Sequence, residues 1–225
     1  MVTMNDSARV TRRLAAVALI LLAGCFKLGR PTPPVEQYVL TGSGTSAIQV
    51  SNTDSGTLAI GLRRLDLADY LATRMIVVRR GTHQIVVTDF RRWGEDPGDG
   101  INRSLAAHLR AAPPVRSVDV APWAVRSRHD YLVQVRVARF EGVADSAATE
   151  GGVHVLAAWD ILLPADGTVL VRGSTDFREG RWNVGDFTGL VTLLDAALVR
   201  VALDIGQCLS RVVATTAPTP AVCAP

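Results

Sequence analysis

Four histidines, His83, His108, His129 and His154, are the side chains in this sequence best suited to moving protons or holding a metal. A helix-borne zinc pair needs two of them at i, i+4, and a finger-type site needs a cysteine pair nearby. Neither spacing occurs. His83 falls in an expected hairpin turn and His108 on an expected helix. His129-Asp130 supplies two residue types of a catalytic triad, but a triad is defined by geometry, and a solvated loop is the expected setting. Glu95-Asp96-x-x-Asp99 is an acidic cluster at a helix start. Calcium would need more oxygen ligands, so the cluster reads as charge complementing the helix dipole. There is no Gly-x-Ser-x-Gly elbow and no Walker loop. Thr41-Gly42-Ser43-Gly44 lacks the lysine and following helix of a phosphate loop and reads as a turn. The expectation is a protein with no catalytic residue, no metal and no cofactor.

Cysteine chemistry is more informative. Arg9, Arg12 and Arg13 precede the uncharged run Leu14 to Ala23, which is far shorter than the ~20 apolar residues needed to cross a bilayer. Leu22-Ala23-Gly24-Cys25 then resembles the bacterial lipobox. The residues after Arg12-Arg13 fit a twin-arginine export signal poorly. The lipobox resemblance implies a signal peptide over residues 1–24, cleavage after Gly24 and acylation of Cys25. Two or more acyl chains anchor a protein stably. Phe26 stands where an aspartate would favour inner-membrane retention, which implies the outer membrane, periplasmic face. Cys208 and Cys223 remain. An oxidising periplasm permits a disulfide between them; two free thiols, with Cys208 packed as a small apolar side chain, is the other reading.

Residues 1–24 hold three of the 24 basic and one of the 21 acidic residues, leaving the remainder at +1. Nearly all the bases are arginine, Lys27 being the single lysine, and no basic cluster suggests a nucleic-acid partner. Residues 25–34 are Pro- and Gly-rich and read as the lipidated cysteine and its tether. Residues 35–213 suit one domain with a full core. Residues 214–225 read as a flexible Pro/Ala-rich tail.

The elements follow from periodicity. Val35 to Leu40, Leu58 to Leu67 and Met75 to Val78 are strand candidates, and Gln84 to Thr88 returns after Gly81 as a hairpin. Asp99 is the expected cap of a helix with Ile101, Leu105 and Leu109 on one face, ended by Pro113-Pro114. Tyr131, Val133, Val135 and Val137 share one strand face; Val153, Val155, Ala157, Trp159 and Ile161 share the next. Asp166-Gly167 signals a tight turn into Val169 to Phe177. After Asp186, Phe187, Leu190, Val191, Leu194, Leu198, Val201, Ile205 and Leu209 form one apolar helical stripe. Strands, helix, strands, helix gives an α/β fold (an α+β sandwich): a mixed, largely antiparallel sheet with two main helices packed on one face.

The order of aromatic and arginine positions adds a resemblance. Tyr38-Val39-Leu40, Tyr70-Leu71, Arg74-Met75-Ile76-Val77-Val78-Arg79, Phe90-Arg91-Arg92-Trp93, Arg139-Phe140-Glu141 and Ala158-Trp159 follow one another between about Val35 and Leu209. The series resembles the ABC-type transport auxiliary lipoprotein family, the paraquat-inducible protein C-like proteins. Trp93-Gly94-Glu95 and an inserted Gly- and Ala-rich turn from Gly142 to Gly152 depart from the family pattern. The resemblance implies a non-enzymatic lipoprotein, working beside an MCE-domain lipid carrier and ABC transporter or permease components. Its partners would be the membrane, that machinery and further copies of itself. Another assembly role in outer-membrane machinery is the alternative. Trp93 is either a core plug or a docking residue. Tyr70, Arg74 and Arg79 are the other docking candidates, solvated strand ends being the alternative for the two arginines.

Overall fold

The longest strand organises the molecule. In the computed structural model, which describes residues 33–42, 56–145, 147–214 and 221–223, β7 (Tyr131–Ala144) pairs antiparallel with β8 (Glu150–Leu162), and β8 pairs antiparallel with β9 (Val169–Phe177). Along its other edge β7 meets three segments in succession. β2 (Leu58–Leu62) lies beside Tyr131–Val133, β3 (Asp66–Leu67) beside Arg136 and Val137, and β4 (Met75–Arg80) beside Gly142–Ala144, all parallel. The expected single run Leu58 to Leu67 is therefore two strands. β4 and β5 (Gln84–Trp93) form the predicted hairpin, turning at Gly81 with φ +59°, a conformation open to glycine. β1 (Glu36–Tyr38) runs parallel to the far end of β5, β6 (Val115–Val120) parallel to β2, and β10 (Trp182–Asn183) antiparallel to β8. The sheet is mixed, and its longest ladders are antiparallel.

Two helices cover one face. α1 (Pro97–Arg110) buries Ile101, Leu105 and Leu109, as the four-residue spacing requires. Its cap is Asp96, not Asp99: the Asp96 carboxylate accepts from the Gly98 and Asp99 N–H groups, and Asp99 lies in the first turn. Pro97 at the first helical position explains the shift, because it has no N–H to lose there. α2 (Phe187–Ala214) buries its whole predicted stripe. Asp186 Oδ1 accepts from the Gly189 N–H at its start.

Alternation on β7 and β8 buries Val133, Val135, Val137, Val153, Val155, Ala157, Trp159 and Ile161 in one core with the helices. A bulge between Val137 and Arg139 then inverts the parity of β7. Phe140 turns into the core, and Arg139 and Glu141 point to the opposite face. β7 continues to Ala144 and β8 resumes at Glu150, so the turn expected over Gly142 to Gly152 is confined to residues 145–149.

One further expectation is corrected. Within the segment read as a loose tail, Ala221–Cys223 forms β11, parallel to β9, and Cys223 is joined to Cys208 of α2 by a disulfide with Cα atoms 6.0 Å apart. The strand and the covalent bond together hold that part of the chain. The signal peptide of residues 1–24, Cys25, Phe26, the tether to residue 32, and Ser43 and Gly44 lie outside the described residues. Residues 1–34 and 35–225 are separate units, and of the first only Pro33 and Pro34 are described. Among the described residues no helix is long and apolar enough to cross a membrane.

Candidate functional site

The β7 bulge builds the most concentrated polar site. Glu141 is 0% exposed, and four donors converge on its carboxylate. Arg79 Nε and NH2 lie 2.5 and 3.1 Å from Oε1 and Oε2, Arg139 NH1 lies 3.0 Å from Oε1, and the Tyr70 hydroxyl 3.0 Å from Oε2. The same hydroxyl is 3.0 Å from the Ala138 carbonyl, the residue the bulge inserts. The Arg79 guanidinium also stands 5.7 Å from the centre of the Tyr70 ring. Hydrogen bonding to Glu141 holds the Arg79 pKa above its ordinary value, against the opposing effect of burial. Burial and the neighbouring Glu141 carboxylate push the Tyr70 phenol up. Three segments, the turn before β4, β4 itself and β7, are thus tied by one carboxylate.

Two predicted docking residues, Tyr70 and Arg79, meet in this cluster, their polar ends turned inward. Arg74 is exposed, and its carbonyl accepts from the Trp93 N–H at 2.6 Å. Trp93 is 6% exposed and packs near Phe140, ring centres 6.1 Å apart. It fills the core where β5 turns towards α1, which leaves little of its ring for a partner. Glu141 was not singled out as a site residue in the sequence. The available signal was that it is the only acid within Tyr131–Ala144.

A second buried site joins the helices. Asp195 of α2 accepts from the Ser104 hydroxyl at 2.5 Å and the Thr41 hydroxyl at 3.1 Å, and His108 Nε2 lies 3.4 Å from the same Oδ1 that Ser104 reaches. Burial pushes the Asp195 pKa up, but the hydrogen bonds from His108, Ser104 and Thr41 outweigh it and hold the carboxyl below its ordinary value. Ser, His and Asp are triad residue types. Here the carboxylate sits between the hydroxyl and the ring, whereas nucleophile activation needs the ring between hydroxyl and carboxylate. The arrangement clamps α1 to α2.

His83 is exposed in the β4–β5 turn, whereas His129 and His154 are engaged within the fold. His129 does not occupy a solvated setting: its side chain is 4% exposed, 2.9 Å from Asp119 and edge-on to Trp123. Asp130 instead accepts from the Ala59 N–H at 2.7 Å. His154 Nε2 lies 2.9 Å from Asp176 and 3.1 Å from Arg178 Nε. Burial, then the Arg178 charge, lowers the His154 pKa against the pull of Asp176. Glu95 pairs with Arg103. Among the described residues no three His, Cys, Asp or Glu side chains converge as a metal would require.

Comparison with known proteins agrees with this architecture. Two crystal structures share the fold. Protein XCC0632 from Xanthomonas campestris superposes with a TM-score of 0.60 at 14% identity, covering 82% of this chain and 98% of its own. An uncharacterized protein superposes with a TM-score of 0.57 at 16% identity, covering 79% and 99%. No curated protein matches the sequence. Residues 38–206, from the end of β1 through most of α2, match the ABC-type transport auxiliary lipoprotein component family, and the chain belongs to that family.

Proposed function

We propose that this lipoprotein is a non-catalytic adaptor of a lipid transport assembly, anchored in the outer membrane through acylated Cys25 and facing the periplasm. Phe26 after the acylated cysteine directs it there. In this role it docks on an MCE-domain carrier served by an ABC permease, and helps phospholipids pass between membranes. The observation that carries the reading is the family match, which spans the folded unit from β1 to α2 and describes a transport auxiliary lipoprotein. The polar groups are in keeping with it. Glu141, Asp195 and His154 are each spent on partners within the fold. An adaptor needs a rigid surface rather than a group with a tuned pKa.

The test is capture of the tagged full-length chain, extracted in mild detergent. Co-purification of an MCE-domain protein and a permease supports the reading. Recovery of outer-membrane assembly factors without either would overturn it. Cys25→Ser separates the anchor from the partner: unprocessed precursor without covalent lipid is expected, and a matured, palmitate-labelled variant refutes acylation at Cys25.

A further inference from the structure

The far edge of the sheet is closed by the chain's own C-terminal segment. β9 pairs with β8 along one side, and among the described residues its other side meets only β11. The two run parallel, with Ala221 level with Val171, Val222 with Arg172 and Cys223 with Gly173. Three paired residues fall short of the about five or six of an ordinary strand. Pro220, directly before Ala221, has no N–H with which to lengthen the ladder. Level neighbours on adjacent strands project to the same side of a sheet. On β9 Val171 is buried and the Thr175 hydroxyl donates to Asp204 of α2 at 2.8 Å, so Gly173, and Cys223 beside it, face the helices. A slip of one residue would turn Cys223 to the opposite face, away from Cys208. The disulfide therefore sets the register of β11 as well as its attachment.

We infer that the Cys208–Cys223 bond is a redox latch on the C-terminal strand. Oxidised, it holds β11 over the β9 edge; reduced, β11 leaves and the edge opens, while the rest of the fold keeps its order. The two ends of the bond differ in what else holds them. Cys208 is 1% exposed within the buried stripe of α2, and as a thiol it stays packed as a small apolar side chain. α2 is also fixed by that stripe and by Asp195 and Asp204, which accept from Ser104 and Thr175. β11 has its short ladder and the half-buried Cys223. Releasing Cys223 restores the chain freedom that the closed loop of residues 208–223 suppresses. The uncovered edge then presents unpaired N–H and C=O groups. Opening needs a dithiol reductant. Its thiolate attacks Cys223 Sγ, the more accessible sulfur; the S–S bond breaks, and Cys208 leaves as a thiolate and takes up a proton. The second thiol of the reductant attacks the mixed disulfide, Cys223 departs and is protonated in turn, and the reductant ends as a disulfide, having given up two electrons and two protons. The inference depends neither on the transport role nor on Cys25.

The full-length chain, purified in detergent, is compared before and after dithiothreitol by hydrogen–deuterium exchange. Alkylation in denaturant with peptide mass spectrometry reports the state of each cysteine. Reduction is expected to speed exchange several-fold in residues 171–173 and in Ala221–Cys223, and to leave β7 and α1 unchanged. Cys223→Ser, which leaves the buried Cys208 in place, should show the reduced pattern without any reductant. Unchanged exchange at residues 171–173 with both thiols free would overturn the latch, because the ladder would then hold β11 unaided. Faster exchange throughout β7 and α1 would overturn it too, making the bond a support of the whole fold. So would a bond that dithiothreitol cannot reduce in the folded chain, or two free thiols in the chain purified without reductant.

Discussion

Glu141→Gln is the sharpest perturbation of this fold, because it keeps the shape of the side chain and removes the charge on which four donors converge. The carboxylate is 0% exposed, and the Arg79 side chain is only 13% exposed, so solvent screens their interaction little. Arg139, at 34%, is screened more and contributes less. The variant leaves the Arg79 guanidinium half-partnered and aims an amide NH2 at donors. Removing one member of a buried pair costs ~3–5 kcal/mol. For a domain of this size each kcal/mol lowers Tm by about 2–4 °C, so a fall of roughly 6–20 °C is expected. The assay is urea unfolding of the soluble domain with matched thermal melts. A cycle of Arg79→Met, Glu141→Leu and the double variant isolates the pair. The double variant should be markedly more stable than the sum of the single losses implies, since apolar replacement of a buried pair is often near neutral. A Glu141→Gln variant within ~1 kcal/mol of the parent would refute the reasoning, because a carboxylate cut off from water could not lose its charge so cheaply.

Three further outcomes are expected. A Cβ on Gly173 would lie 2.2 Å from the buried Trp159 ring, so Gly173→Ala should destabilise by ~1–3 kcal/mol, and Trp159→Leu should relieve part of that loss; full additivity in urea titrations would contradict the packing. Trp93→Ala should cost ~3–5 kcal/mol and reduce partner capture only as the domain unfolds; an unchanged melt with lost capture would make Trp93 an interface residue. The His154 pKa is lowered in the folded state, so unfolding takes up a proton below its unfolded value of ~6.5. That contribution is complete above this pH and declines as the pH falls. Melts across this window should show a drop that His154→Gln lessens, and an identical profile in both proteins would exclude His154 as the cause.

The sequence by itself determined whatever depends on local period. The i, i+4 face of α1, the stripe of α2, the alternation of β7 and β8 and the hairpin at Gly81 were all legible, because burial of one face forces a period that neighbouring residues display. The ordered aromatic and arginine positions carried the family. What the sequence could not supply is which distant groups meet. Arg79 and Glu141 are 62 residues apart and Ser104 and Asp195 are 91 apart, so their pairing depends on strand register and helix packing, which leave no mark in a local window. The bulge at Ala138 shows the same limit. One inserted residue inverts the parity of β7, turning Phe140 inward and sending Glu141 to the other face. Tyr70 and Arg79 stood out as arginine and aromatic residues near strand ends, and tertiary structure turned them into partners of a buried acid. Asp96 displaced Asp99 as the cap because Pro97 fixes where the helix can start. Cys223 left the tail because β9 offered an edge and Cys208 a sulfur within reach.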